Sequence, residues 1–169
     1  WPDTLALWDG TVAALQDGGP VYSIWFQGEN QSEHFVIEHR RRTGFDARLP
    51  AGGMLVHQLD DVLIGVRLSA NRINAGAVPG LRLIEADGRS DLVTGQTRGD
   101  ASDAFPGSLQ RTLVHDRTVP SLRAINGTYT HTALENIRVD GDSLRVLARV
   151  QPIGWKPVVS LPGPHGSPS

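Results

Sequence analysis

The chain has 169 residues, 16 Lys and Arg against 18 Asp and Glu, six His and no Cys, for a formal net charge of −2. A chain of this length makes one domain that buries most of its apolar surface without covalent staples. The near-neutral balance gives no sequence-wide field to hold a nucleic-acid backbone, the lack of Cys excludes disulfides, thiolate catalysis and Cys-type metal sites, and no apolar run approaches the roughly 20 residues of a membrane-spanning helix.

With 19 Gly and 11 Pro the chain is rich in turn formers, which favours many short strands over long helices. Thirteen Asp stand against five Glu, a bias that suits loops, where a short carboxylate bonds its own backbone or holds a hard cation. The sequence begins at Trp1 without Met or a signal-peptide pattern, and reads as a processed chain or an excised piece.

In chain order, Leu5, Leu7 and Trp8 fit a short helix that Gly10 interrupts, and Thr11 to Leu15 is expected as a short strand. Val21 to Phe26 is β-branched and aromatic, residues 28–32 are a polar turn, and His34 to His39 follows as the second strand of a hairpin. After Arg40, Arg41 and Arg42, read as a solvated strand end, the turn at Leu49 to Gly53 leads into Met54 to Leu59, whose apolar run suits a central strand. Ile64, Val66 and Leu68 alternate before a turn at Asn71 to Gly76, and Leu81 to Glu85 is a further strand. Residues 87 to 107 form a long Asp- and Gly-rich stretch; a loop of that length in a compact domain is functional or tied down. Leu134 to Val139 and Leu144 to Val150 flank Asp140-Gly141, a type I′ hairpin signal with Leu144, Val146, Ala148 and Val150 inside and Arg145 and Arg149 outside. The fold class is therefore all-β, an antiparallel β-sandwich-like domain over residues 1–150 with long loops and few or no helices. Residues 151–169, interrupted by Pro157, Pro162, Pro164 and Pro168, form a Pro-rich tail or linker.

Catalytic motifs are absent: there is no H-E-x-x-H, G-x-S-x-G, P-loop or G-x-G-x-x-G. His34 and Glu38-His39 resemble an inverted zinc motif with one residue too many, and a strand would send His34 and His39 to opposite faces. His57, His115, His131 and His165 have no mutual spacing of a ligand set. The chemical signal lies in the acidic stretch, where Glu85, Asp87, Asp91, Asp100 and Asp103 are punctuated by Gly88, Gly95, Gly99 and Gly107. Calcium takes six to eight oxygens from carboxylates, carbonyls and water, so Asp87, Asp91, Asp100 and Asp103 are the candidate metal ligands. The competing reading is an exposed polar loop with Asx-turns at Asp87 and Asp103.

Several segments together resemble the immune inhibitor A family of secreted bacterial zinc metallopeptidases, in the β-rich region C-terminal to the catalytic domain. That region carries Y-F-L-V-E-N-R, then G-F-D-x-x-L-P-G-x-G-L-L-I-W-H-I-D, then E-A-D-G-x-x-D-L and G-D-x-x-D-x-F-P-G. Here the corresponding runs are His34 to Arg40, Gly44 to Pro50, Gly53 to Asp60, Glu85 to Leu92 and Gly99 to Gly107, in the same order across about residues 10 to 150. The chain departs at His57-Gln58 in place of W-H and at His39 in place of the Asn of E-N-R, so a role of the family's His is not carried onto Gln58. The family's zinc-binding helix lies upstream of these motifs, and these residues hold no such motif.

The resemblance implies an extracellular, non-catalytic accessory domain of a secreted metallopeptidase-like protein, stabilised by calcium, with zinc confined to a catalytic unit outside this chain. Its partners are then the catalytic domain of the same protein or neighbouring subunits, with no nucleic acid and no membrane span. The alternative is a self-standing surface or filament-forming assembly module that has lost enzymatic activity. Glu38 and Arg40 are assigned to a structural network across neighbouring strands, because charged residues in a mostly apolar sheet need partners.

Overall fold

A computed structural model describes residues 6–26 and 31–151. In chain order its elements are β1 (Ala6–Ala13), β2 (Tyr22–Trp25), β3 (Glu33–Arg40), β4 (Gly53–Asp60), α1 (Asp61–Leu68), β5 (Leu81–Leu83), α2 (Asp91–Thr94), β6 (Val114–His115), β7 (Thr132–Asp140) and β8 (Ser143–Val150). The strands form two four-stranded antiparallel sheets, in the orders β1-β8-β7-β6 and β2-β3-β4-β5. The all-β expectation is met.

Because strand residues alternate between faces, one stripe from each strand meets the opposite sheet. Phe35, Ile37, Met54 and Val56 from β3 and β4, and Leu134, Ile137, Leu144 and Val146 from β7 and β8, are at most 1% exposed and belong to one core. Leu144, Val146, Ala148 and Val150 all point inward, as their alternation requires, while Arg145 and Arg149 are partly exposed. Met54 to Leu59 lies in β4, an interior strand between β3 and β5.

Four local expectations are corrected. The strand placed over Thr11 to Leu15 begins earlier, runs through Gly10 and ends at Ala13, followed by a 3-10 turn at Leu15–Asp17. Leu7 and Trp8 lie on this strand and not on a helix, and the strand continues through Gly10, where the Trp8 indole lies across the backbone and a Cβ would sit 2.2 Å from the ring. Second, Ile64, Val66 and Leu68 lie on α1. Asp60 caps this helix by accepting the N–H groups of Val62 and Leu63 at 3.0 and 3.1 Å, while Asp61 in its first turn and Arg67 in its last suit the helix dipole. Third, the β7–β8 loop is Gly141-Asp142, since Asp140 pairs with Ser143. Only Gly141 has positive φ, at 60°, which is the requirement of a type II′ turn. Fourth, the long acidic stretch contains α2, a single short turn of helix.

The acidic stretch is also tied down. Phe105 is fully buried, and its backbone exchanges both hydrogen bonds with Met54, at 2.7 and 2.9 Å. This approach needs a residue without a side chain beside it: Gly53 has φ 139°, and a Cβ there would meet the Phe105 carbonyl oxygen at 2.4 Å. Among the described residues no helix is long and apolar enough to cross a membrane. Residues 28–30 of the polar turn and the Pro-rich tail from 152 onward lie outside the described residues.

Candidate functional site

The acidic bend begins where β5 runs out. Ile84 still bonds to Val56 across the sheet (2.8 Å), and Ala86 donates its N–H to the Asp103 carbonyl (2.9 Å), so both arms of the bend are clamped together at their base. Gly88, at φ 78°, turns the chain. Ser90 also takes a left-handed conformation, and α2 then starts at Asp91. The first two N–H groups of α2 are spent on Glu85, from Asp91 to Oε2 at 2.7 Å and from Leu92 to Oε1 at 3.0 Å.

Three carboxylates converge in this bend. Ligand atoms of Glu85, Asp87 and Asp103 all lie within 4.8 Å of one another. Glu85 and Asp103 are buried, at 2% and 6% exposure. Asp87 accepts the N–H of Arg89 at 3.0 Å and the Ser102 hydroxyl at 3.2 Å. Asp103 accepts the N–H of Asp100 at 2.6 Å. The nearest cation, Arg89, has its Nε 3.5 Å from Asp87 and sits two-thirds exposed at the rim.

Burial pushes the carboxyl of Glu85 above its ordinary value, with Asp103 and Asp87 adding to the rise against the bonds from Asp91 and Leu92. Burial raises Asp103 as well, opposed by the Asp100 N–H and helped by the charges of Asp100, Asp87 and Asp91. Asp100 moves the other way, because the hydroxyl and N–H of Ser102 both bond to its Oδ1.

Of the four residues expected as ligands, the fold thus brings Asp87 and Asp103 together. Asp91 and Asp100 lie outside that group: Asp91 enters through its backbone, and Asp100 is turned to Ser102. Glu85 completes the group in their place. Its signal in the sequence is its place two residues before Asp87 just past a strand, where the turn closed by the Gly88 N–H on the Glu85 carbonyl at 2.9 Å folds the two residues together. The Asx-turns fall at Asp87 and Asp100, whose side chains bond the N–H two residues on, rather than at Asp103. An all-carboxylate, all-oxygen group suits a hard cation such as calcium, with Glu85, Asp87 and Asp103 as the holding residues.

The histidines are dispersed. His34 and His39 fall on opposite faces of β3: His34 stacks on Trp25 with ring centroids 4.2 Å apart, whereas His39 is buried with Nδ1 3.1 Å from the Val12 carbonyl. His57 joins the charge network expected of Glu38 and Arg40. Arg40 grips both oxygens of Glu38 at 3.0 and 3.2 Å and reaches Asp46 at 3.0 Å, while His57 Nε2 lies 3.4 Å from Glu38. Arg41 of the same run serves differently, pairing with Asp17 and Asp142 at 2.9 and 2.7 Å. Gln58, where the resembled family has His, is 1% exposed and donates to Glu33 and to the Arg123 carbonyl while accepting from Arg82. It ties β3, β4 and β5 to the segment at Arg123. Among the described residues no group of three His or acidic side chains other than Glu85, Asp87 and Asp103 converges closely enough to share an ion.

The chain matches no protein-family model, no curated protein and no solved structure.

Proposed function

We propose that this chain is a non-catalytic β-sandwich accessory domain of a secreted, metallopeptidase-like protein, and that its acidic bend takes a calcium ion. The observation that carries the metal is the convergence of Glu85, Asp87 and Asp103 within 4.8 Å, two of them buried, with, among the described residues, only the exposed Arg89 paired to them. At such a separation each ionised pair costs about 3.5 kcal/mol at an effective dielectric of about 20. One divalent ion replaces that repulsion with attraction inside the bend, whose arms backbone bonds already hold together. The accessory role and the extracellular setting rest on the motif resemblance from His34 to Gly107. Peptide-bond cleavage then belongs to a zinc-bearing catalytic unit on which this domain packs.

The test is a thermal melt with calcium and with a chelator, on the parent and on Asp87→Asn and Asp103→Asn. A ligand at a hundredfold its Kd adds about 2.7 kcal/mol, which for a domain of this size raises Tm by about 5–10 °C. That rise is expected in the parent and should vanish in both variants. Superimposable parent melts with and without chelator reject the calcium, and peptide hydrolysis by the purified chain rejects the accessory role.

A further inference from the structure

A cleft of about 250 Å³, separate from the acidic bend, opens on the other sheet, between β6, the loop that leads into β7, and the end of β8. His115, Arg117, Tyr129, His131 and Arg149 are among its lining residues. Its chemistry is the reverse of the bend's. The guanidinium of Arg123 lies 4.4 Å from the Tyr129 ring centroid and that of Arg117 lies 5.7 Å from it, so one partly exposed phenol ring carries two cations.

Among the described residues neither cation has a carboxylate partner. Arg123 spends Nε and Nη1 on the carbonyls of Asp116 and Gly127, at 2.9 and 3.1 Å. That fixes its guanidinium against the Tyr129 ring. Among the described residues the guanidinium of Arg117 makes no hydrogen bond or ion pair at all, only the ring contact. Arg149 is matched by Glu135 at 2.9 Å. Asp116 is the one carboxylate in the lining, and its oxygens are turned to the N–H and hydroxyl of Thr130 and the N–H of His131, at 3.0, 3.1 and 2.8 Å. Asp116 keeps its charge but is turned to these neutral donors, so among the described residues no acid forms an ion pair with Arg117 or Arg123.

Donors are set out around this unbalanced charge. The N–H of Arg117 bonds to Nδ1 of His115 at 2.9 Å, which leaves Nε2 as the ring's donor position. The backbone of His131 is held left-handed, at φ 57°, with its ring 6.2 Å from that of Tyr129. A guanidinium fork matches the two oxygens of a carboxylate, phosphate or sulfate group. The volume lies below the 300–1,000 Å³ of sites for drug-sized ligands, so a single anionic group with a small body fills it.

We propose that this cleft is an oxyanion-binding site, with Arg117 as the principal cation and Tyr129, held by Arg123, in its wall. The test is an NMR titration of the labelled chain with sodium phosphate, sodium sulfate and sodium acetate in separate arms, at ionic strength held constant with chloride. Saturable shifts are expected at residues 115–117 and 129–133, and the salt that saturates at the lowest concentration identifies the anion. Arg117→Gln should weaken that binding at least about tenfold, the loss of one charge-assisted contact, with the remaining spectrum unchanged. Arg117→Lys, which keeps the charge but not the fork, should fall between the two. Shifts that fail to saturate in all three salts, or binding equal in Arg117→Gln and parent, overturn the proposal.

Discussion

Glu38→Gln removes one negative charge from β3 and leaves the side chain's shape nearly intact. In the parent, the hydrogen bond with His57 and the two-point grip of Arg40 act against the upward push of burial and hold the Glu38 carboxyl at about 2, below an ordinary 4.5. At about 1.36 kcal/mol for each pKa unit, that depression sets a ceiling of about 3.4 kcal/mol on what the charged form contributes to folding. Glu38 itself is well buried, but Arg40 and His57 are each about one-quarter exposed, at 28% and 25%. Solvent screening of those partners brings the expected figure to about 2–3 kcal/mol.

The direction with pH follows from the linkage between protonation and folding. A carboxyl held lower in the folded state stays ionised where the unfolded chain has taken up a proton. Its contribution is full above pH 4.5 and is lost as pH falls toward about 2. Urea unfolding followed by tryptophan fluorescence at neutral pH should show the variant less stable by about 2–3 kcal/mol, a gap that narrows below pH 4.5 and closes near pH 2. A gap that is the same at both ends of that range, or absent at neutral pH, refutes the electrostatic account of this network.

Three further outcomes are expected. Arg40→Gln should cost more than His57→Ala, about 2–3 against about 1 kcal/mol by urea unfolding, because Arg40 bridges Glu38 and Asp46 at 3.0–3.2 Å while His57 makes one contact at 3.4 Å. His39 is held below its ordinary 6.5, chiefly by burial, with Arg41 lowering it further against the Val12 carbonyl and Asp17. The folded chain therefore resists a proton that the unfolded chain accepts, so stability should be full above pH 6.5 and decline below it, and His39→Leu should flatten that slope in the same assay. Phe105→Ala should cost about 3–5 kcal/mol, because the ring is fully buried, and hydrogen exchange should show faster amides across residues 99–107.

Alternation and turn chemistry made most of the strands legible. Leu144 to Val150 is as sharp a period-two pattern as the chain contains, and β8 follows it residue for residue. The errors have local causes. Val66 and Leu68 alternate by accident on a helix whose start is dictated by a single capping residue, Asp60, and a cap is a weaker signal in text than a run of β-branched residues. The hairpin turn is displaced by one position because Gly141 can serve either as the second residue of a type I′ turn or as the first of a type II′ turn; pairing across the strands decides between them. The acidic bend was legible as a cluster but not as a geometry. Which carboxylates meet depends on α2 turning its N–H groups onto Glu85 and on the clamp between Ala86 and Asp103, and neither contact is written in the spacing of the aspartates. The Arg117–Tyr129–Arg123 cluster had no signal at all, since its members are drawn together by the fold of one loop.

The same clamps bear on what an ion in the bend is able to do. Ala86 is bonded to Asp103, Phe105 is bonded twice to Met54, and Ile84 and Phe105 are both buried in the core. The ends of the bend are therefore closed by backbone bonds and apolar burial, and loop closure itself needs no metal. What these bonds do not offset is the mutual repulsion of Glu85, Asp87 and Asp103. A bound cation on this geometry acts on the interior of the bend rather than on its attachment. Its removal lowers stability by RT ln(1 + c/Kd) at the ion concentration c used while leaving the two sheets and their cooperative unfolding intact, whereas loss of the Phe105 anchor releases the bend from the sheet whether or not an ion is present.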